Sequence, residues 1–379
     1  MLLYVTGSFP ENQEGIASGA KVLLDAMVDQ AGEGSFLLLT TNTPIISDSI
    51  DRNATTQYEL LDNWKVSRKN IKEINHILDE YPITAVHMEY PGDLYGKTFL
   101  ASFFPLVVHR YIRKRNKNIT FNVRLHEFTR ARFLRKVAIL PLLFFSDRIY
   151  VPAQKDREVM GKIAGKRVIK TTIGTNIKVV EGEAEKSDKI RISWFGSVYP
   201  GKGVEKMLEL WKTIKAEDKD NRFCFTIIGD IGTEEGNHFK EYHEQVWKRI
   251  DDLNLRNAIR VTGFVSDEEV SKEIRNTDIA TLLFEDGLTL RRGSFLAYLA
   301  HGIPIVTTMG DDEASELFAD AKGIRMTDSF DEAKEAVFAF TKMSAEQKKE
   351  AKDENTRLSK LFDWKEIALG FLRDYHVLE

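Results

Sequence analysis

Short apolar, β-rich runs alternate with stretches of helical period along the whole chain, and this alternation leaves few folds open. Strand-like runs fall at Leu2–Thr6, Phe36–Thr40, Ala85–Met88, Thr120–Leu125, Arg148–Val151 and Val168–Thr172. Helical patterns lie between them at Ser18–Gln30, Lys69–Glu80, Lys97–Lys114 and Ala131–Phe144. The segment Glu181–Asp188 is polar and charged without any apolar period, and after it the alternation restarts. Strands are expected at Ile190–Phe195, Phe223–Ile228, Ile259–Val261, Ile279–Phe284 and Ile303–Val306. Helices are expected near Gly203–Ala216, Phe239–Asp252, Asp267–Arg275 and Arg292–Ala300, with two more in the tail. Such alternation implies parallel sheets covered by helices on both faces. The expected fold is therefore α/β, with two doubly wound parallel-sheet domains at 1–180 and 189–361, a linker at 181–188 and a closing segment at 362–379. The length of 379 residues suits two domains. Ligands of such sheets bind outside the carboxyl ends of the strands, here in the crevice between the domains.

Composition narrows the class. A lone cysteine, Cys224, rules out a disulfide framework and fits a reducing cytoplasm. The N-terminus has no basic region ahead of its apolar run and reads as a first core strand rather than a signal peptide. The longest apolar run, Val137–Phe145, contains Pro141 and falls well short of the ~20 residues that span a bilayer. The net charge of −4 hides an asymmetry: residues 1–180 carry 25 Lys/Arg against 18 Asp/Glu, and the rest carries 29 against 40. Much of the basic excess lies in Arg110–Lys136, where ten Lys/Arg face only Glu127, with bulky apolar residues on either side. Basic and bulky apolar residues interleaved in this way suit an anionic membrane surface. Nucleic acid is not expected as a partner, because the domain is not strongly basic and has no recognition motif.

Four glycine-bearing turns follow strands and would face the crevice together: Gly15-Ile16, Gly196 to Gly203, Gly229-Asp230 and Asp286-Gly287. Any one is a weak signal, since turns need glycine anyway. The segment from Asp278 to Val306 is the most informative. It reads as a buried strand, an acidic glycine loop, a helix opening on Arg291-Arg292-Gly293-Ser294, a stop at Gly302 and a second buried strand. Unpaired N–H groups and the dipole make a helix N-terminus a phosphate site, which two arginines and a small glycine would complete. Lys202 sits at a helix start, where a cation calls for an anionic partner such as phosphate. His126 lies at a strand end and could reach the crevice, His87 reads as structural or acceptor-side, and His301 as a helix-ending residue. No Cys/His cluster or HExxH suggests a metal, and no GxGxxG suggests a dinucleotide.

These segments resemble the retaining family-4 glycosyltransferases of the two-Rossmann GT-B fold, over nearly the whole chain. Gly15-Ile16 is similar to the family's N-terminal glycine loop, and Leu125-His126-Glu127 to its strand-end histidine segment. Ile173 to Ile177 resembles its turn before the linker, and Gly196 with Lys202-Gly203 its phosphate loop. His301 to Val306 is similar to its CG-x-P-V-V strand entry, and Phe362-Asp363-Trp364 to the tail helix that crosses back to the N-terminal domain. Two departures stand out. Ser197 occupies the place of the family's arginine after the loop glycine. Thr289 and Ala297 occupy the places of its two glutamates, so Asp286 or Glu285 would take over the sugar contact and Arg291 and Arg292 the missing cation.

The resemblance implies a hexosyltransferase of retaining, metal-independent type, with no cofactor beyond the donor, a UDP- or GDP-sugar. Lys202, Arg292 and the N–H groups of Gly293 and Ser294 would hold the leaving diphosphate, with Arg291, Gly196, Ser197 and Gly15-Ile16 beside it. His126 would contact the donor sugar, Asp286 its hydroxyls, and Phe264-Val265 the base. The implied acceptor is a glycan or lipid-linked acceptor in cell-surface polysaccharide synthesis. The implied location is cytoplasmic, peripheral on the inner face of the membrane. Two rival readings stay open: a GT-B nucleotide-sugar 2-epimerase, and a catalytically inactive partner of another transferase.

Overall fold

The computed structural model describes residues 1–7, 15–41, 57–61, 64, 67–90, 103–116, 118–126, 128–129, 131–233, 237 and 239–377. The chain divides into two compact units, Met1–Gly174 with Asp363–Glu379, and Thr175–Phe362.

The first unit runs β1 (Leu2–Thr6), α1 (Gly15–Ala31), β2 (Phe36–Thr41), β3 (Gln57–Leu61), α2 (Arg68–Glu80), β4 (Ala85–Tyr90), α3 (Phe104–Arg115), β5 (Thr120–Leu125), α4 (Phe133–Phe145), β6 (Arg148–Val151), α5 (Gln154–Ala164) and β7 (Val168–Lys170). Its seven strands are ordered β3-β2-β1-β4-β5-β6-β7, all parallel. Because strand side chains alternate between faces, the sheet feeds two cores. Leu3, Val5, Val86, Met88, Phe121 and Val123 pack with α2, α3 and α4. Leu2, Tyr4, Phe36, Leu38 and Ala85 pack with α1 and with Ile367, Phe371 and Leu372 from the end of the chain. Burial on both faces explains why β1 and β2 are apolar almost throughout.

The second unit runs β8 (Ile190–Phe195), α6 (Val204–Glu217), β9 (Phe223–Ile228), α7 (Lys240–Asp252), β10 (Ile259–Val261), α8 (Asp267–Arg275), β11 (Ile279–Leu282), α9 (Gly293–Ala300), β12 (Ile305–Thr308), α10 (Asp312–Phe318), β13 (Ile324–Thr327), α11 (Phe330–Thr341) and α12 (Ala345–Ser359). Its six strands are ordered β10-β9-β8-β11-β12-β13, again all parallel. The last helix, α13 (Trp364–Asp374), belongs to the first unit. In each sheet the winding direction reverses once, between β1 and β4 and between β8 and β11. Those are the switch points outside which ligands of doubly wound sheets bind.

The alternation is as the sequence implies, but several boundaries differ. β11 ends at Leu282 instead of Phe284, because the chain turns there with the Phe284 N–H donating to the Leu282 carbonyl at 3.1 Å. β12 begins at Ile305 instead of Ile303. The Ile303 N–H closes the end of α9 onto the Tyr298 carbonyl, and Pro304 has no N–H to give a ladder. Strands β3 and β13 and helix α5 were not expected. Nor does the tail hold two helices: α10, α11, α12 and α13 all follow β12 among the described residues. Each opens on its own cap, Asp311, Ser329, Ser344 and Asp363, whose side-chain oxygen accepts a first-turn N–H. The expected helix at Lys97–Lys114 is described only from Phe104; residues 97–102 lie outside the described set.

Candidate functional site

In the second unit, the loop after β8 runs from Gly196 to Gly203 and opens α6. Gly203 caps α6 at φ +75°, and a Cβ there would lie 1.7 Å from the Leu283 carbonyl oxygen. Only glycine lets the helix start come this close to the end of β11. Lys202, one residue earlier, holds its ammonium 4.6 Å from the Tyr199 ring centroid, and Tyr199 stacks on Phe239 at 5.5 Å. Among the described residues no carboxylate pairs with Lys202. Ser197, in the same loop, is exposed.

The segment after β11 is fixed from below. Leu288 is buried, its N–H donates to the Met309 carbonyl at 3.3 Å, and its carbonyl accepts from Asp311 at 2.9 Å. Arg292 lies with its guanidinium carbon 4.4 Å from the centroid of Phe284, the residue next to the one that Gly203 touches. Arg292 pairs with Asp286 and donates to the Gly287 carbonyl at 3.3 Å, while its Nε is buried without a partner. Two residues assigned separate roles, a phosphate cation and a sugar-hydroxyl acceptor, thus hold each other. α9 starts at Gly293 with no side-chain cap on its N–H groups, and a Cβ on Gly293 would meet nothing within 4 Å. Nothing in the fold itself requires glycine there. Arg291 and Ser294 are half-buried on either side.

So the β8 and β11 ends bring Lys202, Arg292, Asp286 and the start of α9 to one end of the sheet, at its switch point. Phe264 follows β10 at the sheet's outer edge and is 74% exposed, with Val265 half-buried after it. Thr289 and Ala297, in the places of the family's glutamates, are buried. Ala297 lies inside α9, where its carbonyl accepts from His301 Nδ1 at 2.7 Å. His301 also bonds Ser271 on α8 at 2.8 Å, which makes it a helix-ending clamp. Burial pushes its pKa below the ordinary value.

In the first unit, Gly15 and Ile16 open α1, but Glu14 and the side chains of residues 15–18 lie outside the described set. His126 follows β5, and its Nε2 lies 2.6 Å from a carboxylate oxygen of Glu89 on β4. Glu89 is fully buried and is also bonded by Tyr4, His87 and Arg124. Just beyond His126, the Phe128 and Thr129 N–H groups donate to the buried Asp156 carboxylate at 3.2 and 2.8 Å, which fixes the loop. Sequence reasoning found His126 and missed Glu89, Arg124 and Asp156. The available signal was His87 and Glu89 in β4 and Thr120, Asn122 and Arg124 in β5, polar residues in two strands buried along almost their whole length.

α4 carries a second, unrelated feature. Phe133, Leu134 and Phe144 are 77%, 64% and 63% exposed, and Val137 and Phe145 are exposed with them. These positions share one helical face, and α4 has no acidic residue. Among the described residues no group of His, Cys, Asp or Glu could hold a metal ion, and no helix is long and apolar enough to cross a membrane.

The two parallel sheets with flanking helices are the GT-B fold. Over its whole length the chain superimposes on a glycosyltransferase from Rickettsia africae with a TM-score of 0.75 and 14% identity, covering 98% of that chain. It matches HepE from Anabaena, solved in complex with UDP and glucose, at 0.72 and 11% over the full length of both chains. It matches the sucrose-phosphate synthase of Thermosynechococcus elongatus at 0.72 and 13%, covering 99% of this chain and 98% of that one. At such identities the likeness establishes the fold. No curated protein matches the chain by sequence. Residues 189–341, which make up most of the second unit, match the family described as glycosyl transferases group 1. The matched domain and the fold together support a GT-B glycosyltransferase.

Proposed function

We propose that the chain is a retaining, metal-independent glycosyltransferase that moves a sugar from a UDP- or GDP-sugar to a glycan or lipid-linked acceptor in cell-surface polysaccharide synthesis. The observation that carries this reading is that Lys202, which has no carboxylate partner among the described residues, lies with Arg292 and the uncapped start of α9 at the β8/β11 switch point. Departure of a nucleoside diphosphate builds negative charge on phosphate oxygens, and fixed cations and N–H groups aimed at that charge supply most of the catalysis. Arg292 is held in place by Phe284 and Asp286. An incoming diphosphate would compete with Asp286 for it and free the carboxylate for a sugar hydroxyl. Phe264 offers an exposed ring to a nucleobase. HepE, with UDP and glucose bound, makes UDP the first nucleotide to test.

A thermal-shift screen against UDP, GDP and their sugars tests donor binding, since a ligand at a hundred times its dissociation constant stabilises by about 2.7 kcal/mol. Donor hydrolysis separates the rivals. A transferase leaks donor to water, an inactive partner does not, and a 2-epimerase releases a sugar altered at C2.

The face of α4 supports a lipid-linked acceptor and a peripheral position on the cytoplasmic side of a membrane. Its exposed Phe133, Leu134, Val137, Phe144 and Phe145, beside Arg132, Arg135 and Lys136, match an apolar layer topped by anionic headgroups. Flotation with vesicles containing anionic lipid should carry the protein upward, while purely zwitterionic vesicles should not. Protein that stays at the bottom in both cases removes the membrane partner.

A further inference from the structure

Glu89 is a fully buried carboxylate to which neither the fold nor the phosphate site gives a role. Strand register explains how its partners gather. Glu89 lies opposite Thr6 on β1 and Arg124 on β5, and Tyr4 lies opposite His87, so these side chains share one face of the sheet. Oε1 accepts from the Tyr4 hydroxyl at 2.9 Å, from Arg124 Nη1 at 3.1 Å and from His87 Nε2 at 3.1 Å, and Oε2 faces His126 Nε2 at 2.6 Å. Arg124 is itself packed over Trp364 and Phe371 of α13, at 5.7 and 5.8 Å.

Proton positions follow from this geometry. Burial alone would raise the Glu89 pKa, but Arg124 above all, with the two histidine hydrogen bonds, holds it well below the usual carboxylate range. A carboxylate has no proton to give, so each nitrogen that bonds it must donate. His87 therefore carries its proton on Nε2, and its Nδ1 accepts from the Tyr375 hydroxyl at 2.5 Å. By the same argument His126 donates through Nε2. Its Nδ1 has no partner among the described residues, and its side chain is 14% exposed where that of Glu89 is not exposed at all. The Asp156 clamp on Phe128 and Thr129 fixes the backbone that follows.

We infer that Glu89 is a positioning residue for His126: it locks the imidazole with Nε2–H pointing inward and leaves Nδ1 outward as the acceptor for a hydroxyl of the donor sugar. This rests on the glycosyl-transfer reading above and adds to it a direction. His126 accepts from the sugar and does not donate to it, so a fixed carboxylate in one unit sets which ligand groups the histidine can recognise.

The test uses full-length protein labelled with 15N-histidine at about pH 8, above the ordinary imidazole value. Long-range proton–nitrogen correlations should show His126 protonated on Nε2 and bare on Nδ1. Adding the UDP- or GDP-sugar that gives the largest thermal shift should move the Nδ1 signal, and the matching nucleoside diphosphate alone should not. In Glu89→Gln both His126 tautomers should appear, and kcat for donor turnover should fall about 10- to 100-fold with nucleotide affinity unchanged. Glu89→Asp should restore part of it. A wild-type His126 protonated on Nδ1, an Nδ1 signal unmoved by the sugar nucleotide, or Glu89→Gln turning over like the wild type each overturn the inference. The wild-type spectra decide it even if Glu89→Gln fails to fold. A wild-type protein that neither binds nor turns over any sugar nucleotide would instead remove glycosyl transfer and with it the sugar contact, while the tautomer measurement would still decide what Glu89 does to His126.

Discussion

Lys202 and Arg292 are both cations above aromatic rings, but they are held differently, and this sets what each substitution should cost. Lys202 has no ion pair among the described residues, so Lys202→Ala should leave stability within about 0.5 kcal/mol while lowering kcat/KM for donor turnover. Loss of one preorganised donor to a developing anion costs about 2–4 kcal/mol, roughly 10²- to 10³-fold. Arg292→Ala should lower turnover similarly. Steady-state kinetics with melting curves on both variants check this, and unchanged turnover in both removes the phosphate assignment. Asp286 gives a prediction of opposite sign. It occupies Arg292 in the free protein, and a partly exposed pair of this kind is worth about 0.2–1 kcal/mol. Asp286→Asn should therefore tighten UDP binding by up to about fivefold in calorimetry while slowing sugar transfer. Weaker UDP binding would show that the carboxylate does not compete with the diphosphate. The residues of this loop were legible in sequence because glycines, a lysine and two arginines follow strand ends at regular places. Glu89 was not legible. A carboxylate in Val86-His87-Met88-Glu89-Tyr90 gives no sign that, besides its neighbour His87, its partners come from β1, β5 and the loop after β5, all remote in sequence.

At the scale of elements, the start of α6 depends on a single missing Cβ. Gly203 combines φ +75° with a carbonyl 1.7 Å from where a methyl would be, and that carbonyl belongs to the end of β11, which cannot move without moving the Arg292 loop. Gly203→Ala should cost about 2–4 kcal/mol, from backbone strain and a clash that must be relieved by separating α6 from β11. The same variant should lose nucleotide affinity, because Lys202 moves with the helix. A melting temperature and UDP affinity equal to wild type would contradict both. α4 makes the opposite case. Phe133 and Phe144 are 77% and 63% exposed, so Phe133→Ser with Phe144→Ser should leave the melting temperature nearly unchanged and abolish flotation with anionic vesicles. The strands β1, β5 and β8 could be read from sequence to the residue, and so could the shorter β6 and β10, whereas β13, Ile324-Arg325-Met326-Thr327, was missed although it is of the same kind. The tail helices merged because their faces are largely polar, although the caps Asp311, Ser329, Ser344 and Asp363 were there to separate them.

Across the whole molecule, each unit buries a histidine whose pKa burial lowers: His87 in the first, where Glu89 opposes the shift and Arg124 and His126 reinforce it, and His301 in the second, where the Ala297 carbonyl opposes it and Arg275 reinforces it. The folded protein keeps these rings neutral at pH values where the unfolded chain, with ordinary histidines near 6.5, has begun to take up protons. Because the unfolded state then binds more protons, stability falls as pH drops below about 6.5, and neither ring contributes any slope well above it. The slope is at most about 1.4 kcal/mol per pH unit for each proton taken up. Glu89 acts at a lower pH. Its carboxyl is held well below the usual range, so the stability it contributes is lost only as pH falls past the ordinary carboxylate value toward its own. The first unit should therefore lose stability in two stages on acidification and the second mainly in the first of them. Hydrogen exchange read on peptides from β4 and from α9 follows the two units separately at about pH 8, 6 and 5 for the histidine stage, and at about pH 3 to 4 for the Glu89 stage. Replacing His301 by Gln should flatten the change between 8 and 5 in the α9 peptides and leave the β4 peptides sloping. Equal flattening in both, or a protection profile independent of pH in the wild type, would show that these buried rings do not govern the acid response.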